Sequence, residues 1–278
     1  ILGKVFIYRN KILLTFILCF CNIFLFTSQN NREIKIFYYV NPPLVMPDTA
    51  KPSGIDVDIL SEYLIWLKTN KQESFQLKIS WVSPGKKPEE VLKDGNEFSI
   101  VAGGQSTVNA TSKETDVSVP YLKNISFCIT NGNAPDVKTK TPADIVKGLG
   151  AMKGLTVPQT ILEKSMQELK KMYLNDLTIE NVQDQTEILN QISRNVLVFG
   201  YVDAIEFWYY LKNNPTRFLK VQKALDQNKA NYVFIFKKNS PHKKWFQEFM
   251  NAFKATPRYK IILEKNIGGF MAQTLSVK

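Results

Sequence analysis

Residues Ser99–Thr130, SIVAGGQSTVNATSKETDVSVPYLKNISFCIT, decide how this chain is read. The stretch opens with a short apolar run that ends in Gly103-Gly104. Because neither glycine carries a Cβ, a strand ending there can bring its backbone N–H groups close to a ligand. A polar loop leads to Ser118-Val119-Pro120-Tyr121, where Pro120 forces an extended path. The alternation of Ile125, Phe127 and Ile129 that follows has the period of a half-buried strand. A binding edge followed by an extended passage suits a chain that crosses from one compact unit to another.

Upstream of this stretch the element types alternate. Glu33–Val40 (EIKIFYYV) is rich in β-branched and aromatic residues and is stopped by Asn41-Pro42-Pro43, so a strand is expected there. An amphipathic helix is expected over Ile59–Thr69, with Leu60, Leu64 and Leu67 on one face. Gln76–Val82 reads as a second strand, Lys87–Lys93 as a short helix with Pro88 in its first turn, and Phe98–Ala102 as a third strand. Strands alternating with helices imply parallel pairing and an α/β fold, in which ligands sit at the carboxyl ends of strands. The double proline and the double glycine both lie at such ends.

The chain has 278 residues, with 44% hydrophobic and 22% charged, which is enough to bury a full core in one large domain or two lobes. The formal charge is +11, from Lys+Arg 36 against Asp+Glu 25. Lysine pairs such as Lys86-Lys87 and Lys243-Lys244 are scattered among acidic residues and accompany no nucleic-acid-binding motif, so nucleic acid is not expected as a partner.

Residues 1–29 read as a signal peptide or an N-terminal anchor. Lys4, Arg9 and Lys11 precede an apolar run from Ile12 to Phe26, and polar residues follow it. Export to the periplasm or cell surface is the expectation. Cys19 and Cys21 lie in that segment, leaving Cys128 as a single buried thiol.

No constellation for catalysis, metal binding or a cofactor occurs. The one histidine, His242, suits a capping or surface role at a helix start. The turn carrying Asp56 and Asp58 reads as extended, and a glycosidase carboxylate pair is not expected from it. The chain is therefore not expected to be an enzyme.

Taken together, PPLVMPD and PSGIDVDIL, the strand ending in Gly-Gly, and TDVSVPY resemble the type II periplasmic solute-binding proteins. The resemblance is strongest to extracellular solute-binding protein family 3, which includes the polar amino-acid receptors of ABC importers. MKGLTVPQT followed by a helix from about Ile161 to Tyr173, QISRNVLVFGYVDAIEFWYYL at Gln191–Leu211, Asn231–Lys237, and Pro241–Lys265 resemble the family's later segments in the same order. The resemblance implies a two-lobed α/β fold with two hinge strands, with lobe one formed by residues 31–124 and 237–278 and lobe two by 125–236. It further implies a monomer without cofactor that traps a small-molecule solute between its lobes and serves a membrane ABC permease. Ligand binding in such a hinge shifts an open–closed equilibrium.

The departures from the family bear on the ligand. Thr111 stands where the family's amino-acid receptors carry an arginine that grips the α-carboxylate with its planar fork. Counting five residues from Asp203 places Trp208 where the family has an aspartate that pairs with the α-ammonium. Leu44 replaces a usual phenylalanine. These changes argue against a standard α-amino acid. The remaining candidates are Gly104, Gln105 and Ser106 at the strand end, Gln159 and Thr160 ahead of a helix N-terminus, and Tyr39 or Trp208 as stacking surfaces. They point to a neutral or weakly anionic organic solute. The alternative reading is a non-catalytic sensory or regulatory module of the same fold, which would bind a cell-wall fragment or a protein.

Overall fold

The computed structural model describes residues 32–47, 51–83, 85–107 and 112–277. The segment 1–29 and Thr111 lie outside the described residues. The first half of the chain forms β1 (Arg32–Tyr38), α1 (Ile55–Asn70), β2 (Phe75–Trp81), α2 (Pro88–Lys93) and β3 (Ile100–Ser106). β1 pairs in parallel with both β2 and β3, as the alternation of strand and helix requires. α1 begins at Ile55, four residues earlier than its apolar period alone suggests, and buries Ile59, Leu60, Tyr63 and Leu67. β3 continues through both glycines to Ser106 instead of ending at Ala102.

The chain then passes through β4 (Thr115–Val117) into β5 (Leu122–Asn131) and builds a second half. This half contains α3 (Pro142–Leu149), β6 (Lys153–Thr156), α4 (Ile161–Tyr173), β7 (Ile179–Asn181), α5 (Gln185–Arg194), β8 (Val198–Asp203), α6 (Ala204–Asn213) and β9 (Leu219–Val221). It returns along β10 (Gln227–Lys237) and closes with α7 (His242–Phe253) and α8 (Pro257–Leu275). The strand order is β2-β1-β3-β10-β5-β8-β6-β7, with β4 and β9 added beside β10 and β5.

Two lobes result, joined by β5 and β10. These strands run antiparallel to each other, with Leu122 opposite Tyr232, because one leaves the first lobe and the other re-enters it. Parallel pairing therefore holds only within each lobe. The two passages touch: the Tyr121 N–H donates to the Tyr232 carbonyl at 3.1 Å, and the Tyr121 ring stacks on Phe234 at 4.4 Å. Past this point β5 is not half-buried, as its alternation suggests. Ser126, Phe127, Cys128, Ile129 and Thr130 are all buried, because helices cover both faces of the second-lobe sheet.

The first lobe is held by an aromatic cluster between α1 and α7, in which Tyr63 meets the edges of His242 and Phe246. His242 is fully buried and its Nδ1 lies 2.6 Å from the Tyr63 hydroxyl, so the surface role expected of it is replaced by a core one. Burial pushes its pKa down to about 4.

α8 spans the lobes. Lys265 and Asn266 bond to Asp58 on α1, and after a break at Gly268 (φ 71°, ψ 160°) the helix continues against α6 and β5. No helix of the described residues is long and apolar enough to cross a membrane.

Candidate functional site

Asp56 organises the junction between the first lobe and the hinge. It lies in the first turn of α1, fully buried, and its Oδ2 accepts the N–H groups of Gly103 and Gly104 at 2.8 and 3.2 Å. Its Oδ1 accepts the Tyr121 hydroxyl at 2.6 Å, and the Tyr121 carbonyl in turn accepts the Tyr259 hydroxyl of α8 at 2.6 Å. Burial pushes the Asp56 carboxyl up to about 6, with the Tyr121, Gly103 and Gly104 hydrogen bonds opposing the shift.

The two glycines therefore have a different purpose from the one read in the sequence. Gly103 (φ 107°) and Gly104 (φ 74°) adopt left-handed backbone that favours glycine. A Cβ on Gly103 would stand 2.3 Å from the Tyr39 carbonyl oxygen, and one on Gly104 would stand 2.2 Å from Asn41 Nδ2. They let β3 seat against Tyr39–Leu44, and the Gly104 N–H is taken by Asp56 and not offered to a ligand. Asp56 and Asp58 lie on a helix, not an extended turn, and Asp58 turns outward to Lys265 and Asn266.

A cavity of about 330 Å³ opens between the lobes at the carboxyl ends of their strands. Val40, Asn41 and Pro42, just past β1, form the first-lobe wall. Val157 and Thr160 between β6 and α4, Gln183 and Asp184 between β7 and α5, Gln185 and Thr186 in the first turn of α5, and Glu206 on α6 are among those forming the other. Local sequence explains the placement. Thr160 caps α4, accepting the Glu163 N–H at 3.3 Å while donating to the Val157 carbonyl at 2.6 Å. Asp184 caps α5, accepting the Glu187 N–H at 2.8 Å.

Behind this wall stands Asp203, the last residue of β8. Its Oδ2 accepts Gln185 Nε2 at 2.9 Å and its N–H donates to Gln185 Oε1 at 2.6 Å, while Oδ1 is buried without a hydrogen-bond partner. Burial raises the Asp203 pKa, with Gln185, Asn124 and Ser126 opposing. Burial also pushes Glu206 up to about 7, helped by the charges of Asp203 and Asp184 and opposed by the Thr186 hydroxyl, 3.4 Å away. Among the described residues, the cavity lining holds two carboxylates, Asp184 and Glu206, and no lysine or arginine. Such a wall attracts ammonium groups and hydrogen-bond donors.

The candidates read from the sequence are dispersed. Thr160 lines the cavity. Tyr39 bonds to the Lys86 carbonyl at 2.8 Å and packs beside a separate small core, and Leu44 is fully buried. Gln105 and Ser106 sit in the β3 ladder opposite Val233 and Tyr232. Gln159 is exposed at φ 61°, its N–H bonded to Glu163 Oε2 at 2.7 Å.

Trp208 lies a full turn into α6 because β8 ends at Asp203, so the five-residue count places it beyond the strand end. It lines a different pocket, facing α8. Sequence reasoning passed over Asp184, Gln185, Asp203 as a strand-end carboxylate, and Glu206. The signal for the first two was Asp-Gln-Thr-Glu at 184–187, a helix-capping pattern ahead of an apolar period.

No protein-family model matches the chain, and no curated protein sequence does. Solved structures do match. The GluR0 ligand-binding core from Nostoc punctiforme in complex with L-glutamate has 14% identity and a TM-score of 0.61, covering 84% of this chain and 99% of that one. The fold is that of the type II periplasmic solute-binding proteins. The second substrate-binding domain of a putative amino acid ABC transporter from Streptococcus pneumoniae shares this periplasmic binding-protein fold at 14% identity, with a TM-score of 0.63 over 85% of this chain and 100% of that one. The arginine-, lysine-, histidine-binding protein ArtJ from Geobacillus stearothermophilus shares it at 20% identity, with a TM-score of 0.58 over 85% and 95%.

Proposed function

We propose that this protein is an exported solute-binding protein that traps a small amine-bearing solute between its lobes and delivers it to a membrane ABC permease. Lobe one comprises residues 31–124 and 237–278 and lobe two 125–236, with the segment 1–29 directing export. The observation that carries the reading is the cleft wall of Asp184 and Glu206, with the buried Asp203 Oδ1 behind it and, among the described residues, no basic residue in the lining. An ammonium group placed there would relieve repulsion between Asp184 and Glu206 and the Asp203 carboxyl behind them. Thr111 in place of the carboxylate-gripping arginine favours an amine over a complete α-amino acid.

Calorimetric titration of the full chain with ethanolamine, 1,4-diaminobutane, L-alanine, glucose and muropeptides tests this reading. At least one amine is expected to bind, with its uncharged alcohol analogue at least about tenfold weaker. Binding of glucose with neglect of every amine would refute the ligand class. Binding of muropeptides alone would favour the regulatory module.

A further inference from the structure

A second pocket lies across α6 from the cleft. Glu206 faces the cleft, while Phe207, Trp208 and Leu211 on the same helix face this pocket of about 360 Å³. Phe127 of β5 and Met271 of α8 supply further apolar wall. That volume lies within the range of small-molecule sites. The break at Gly268 leaves the α8 side open: only the Trp208 indole nitrogen comes within 4 Å of where a Gly268 Cβ would stand, at 3.9 Å. Lys212 covers one part of the Trp208 ring system from 5.1 Å.

Two charged residues interrupt this apolar surface, Lys223 and Asp226. Asp226, which follows the 3-10 turn Lys223–Leu225, lines the pocket, and its Oδ1 is buried with no hydrogen-bond partner among the described residues. The field of Lys223, a backbone hydrogen bond from Cys128 and the field of Lys140 favour its charged form, yet no ion pair within 4 Å involves Asp226 among the described residues. A carboxylate oxygen left unmatched at the edge of an aromatic pocket selects for a ligand that brings a cation and a ring together.

We propose that this pocket is a second small-molecule site, separate from the cleft, for an arylalkyl amine whose ring lies among Phe127, Phe207 and Trp208 and whose ammonium meets Asp226. Burial of the Asp226 carboxyl, which lifts it to about 6, leaves it mostly ionised at neutral pH and is relieved by the bound cation. The site differs from the cleft in requiring the ring as well as the charge.

The test is titration of the full chain, labelled with ¹⁵N at its tryptophan indoles, with 2-phenylethylamine and with phenylacetate at pH 7.5. The Trp208 resonance is assigned from Trp208→Phe. The amine is expected to shift that resonance saturably, with phenylacetate at least about tenfold weaker. Asp226→Asn, which is isosteric and breaks no bond at Oδ1, is expected to erase this preference, and Glu206→Gln is expected to leave it intact. An unmoved Trp208 resonance, equal response to both probes, or an unaltered preference in Asp226→Asn overturns the proposal. Loss of the response in Glu206→Gln alone would also overturn it by assigning the amine to the cleft, and would leave the cleft reading standing.

Discussion

The Tyr121 hydroxyl donates to the Asp56 carboxylate at 2.6 Å, joining the start of α1 to the point where the chain leaves the first lobe. Asp56 simultaneously holds the two N–H groups at the turn of β3, so a single buried side chain fixes the base of the hinge. The cleft wall at Val40–Pro42 rests on this arrangement through Asn41 Nδ2, which donates to the Gly103 carbonyl at 3.4 Å.

Tyr121→Phe removes the donor and leaves Oδ1 of a buried carboxylate unmatched. The expected loss is about 1.5–3 kcal/mol of unfolding free energy in urea titration, since the bond is to a charged group and cannot be replaced by water. A loss below about 0.5 kcal/mol would show that the hinge base does not depend on this bond.

Gly104→Ala places a Cβ against Asn41 and Leu44 at positive φ. A loss of about 1–3 kcal/mol is expected, accompanied by weaker solute binding as Asn41 is displaced. Unchanged stability and affinity would mean that the β3 turn does not seat the cleft wall.

His242 is buried in its neutral form, with a pKa near 4 against an ordinary 6.5. Below pH 6.5 the unfolded chain takes up the proton and the folded chain does not, so this residue's contribution to stability declines as pH falls from 6.5 towards 4. The difference in unfolding free energy between wild type and His242→Asn should shrink by roughly 2–3 kcal/mol across that window. A constant difference would show that the imidazole is not held neutral by the core.

Glu206 shows the opposite sign. Its folded pKa near 7 against an ordinary 4.5 means that ionisation costs the fold stability between pH 4.5 and 7, and the full penalty is present above pH 7. Glu206→Gln should therefore gain about 1–3 kcal/mol relative to wild type on going from pH 5 to pH 8 without ligand. Affinity for an amine solute should rise over the upper part of that window in wild type and flatten in the variant.

The sequence made the frame readable because its large-scale signals are additive. Apolar periodicity, the Pro-Pro and Gly-Gly strand ends, and the order of segments each point to two α/β lobes joined near Tyr121 and Val233. The site was less legible because it depends on where a strand ends to within a residue. The family's five-residue spacing from Asp203 led to Trp208 on α6, whereas β8 stops at Asp203 and presents that carboxylate beside Gln185. The hinge role of Asp56 was not legible for a related reason: its three bonding partners lie 47 to 65 residues away, and no local pattern announces them.

Lobe closure on an amine is most directly tested by small-angle scattering from the full chain, with and without a saturating amine from the calorimetric panel. The radius of gyration should fall when wild type is saturated and stay constant in Glu206→Gln at the same amine concentration. Saturation of wild type with no change in radius would contradict capture between moving lobes.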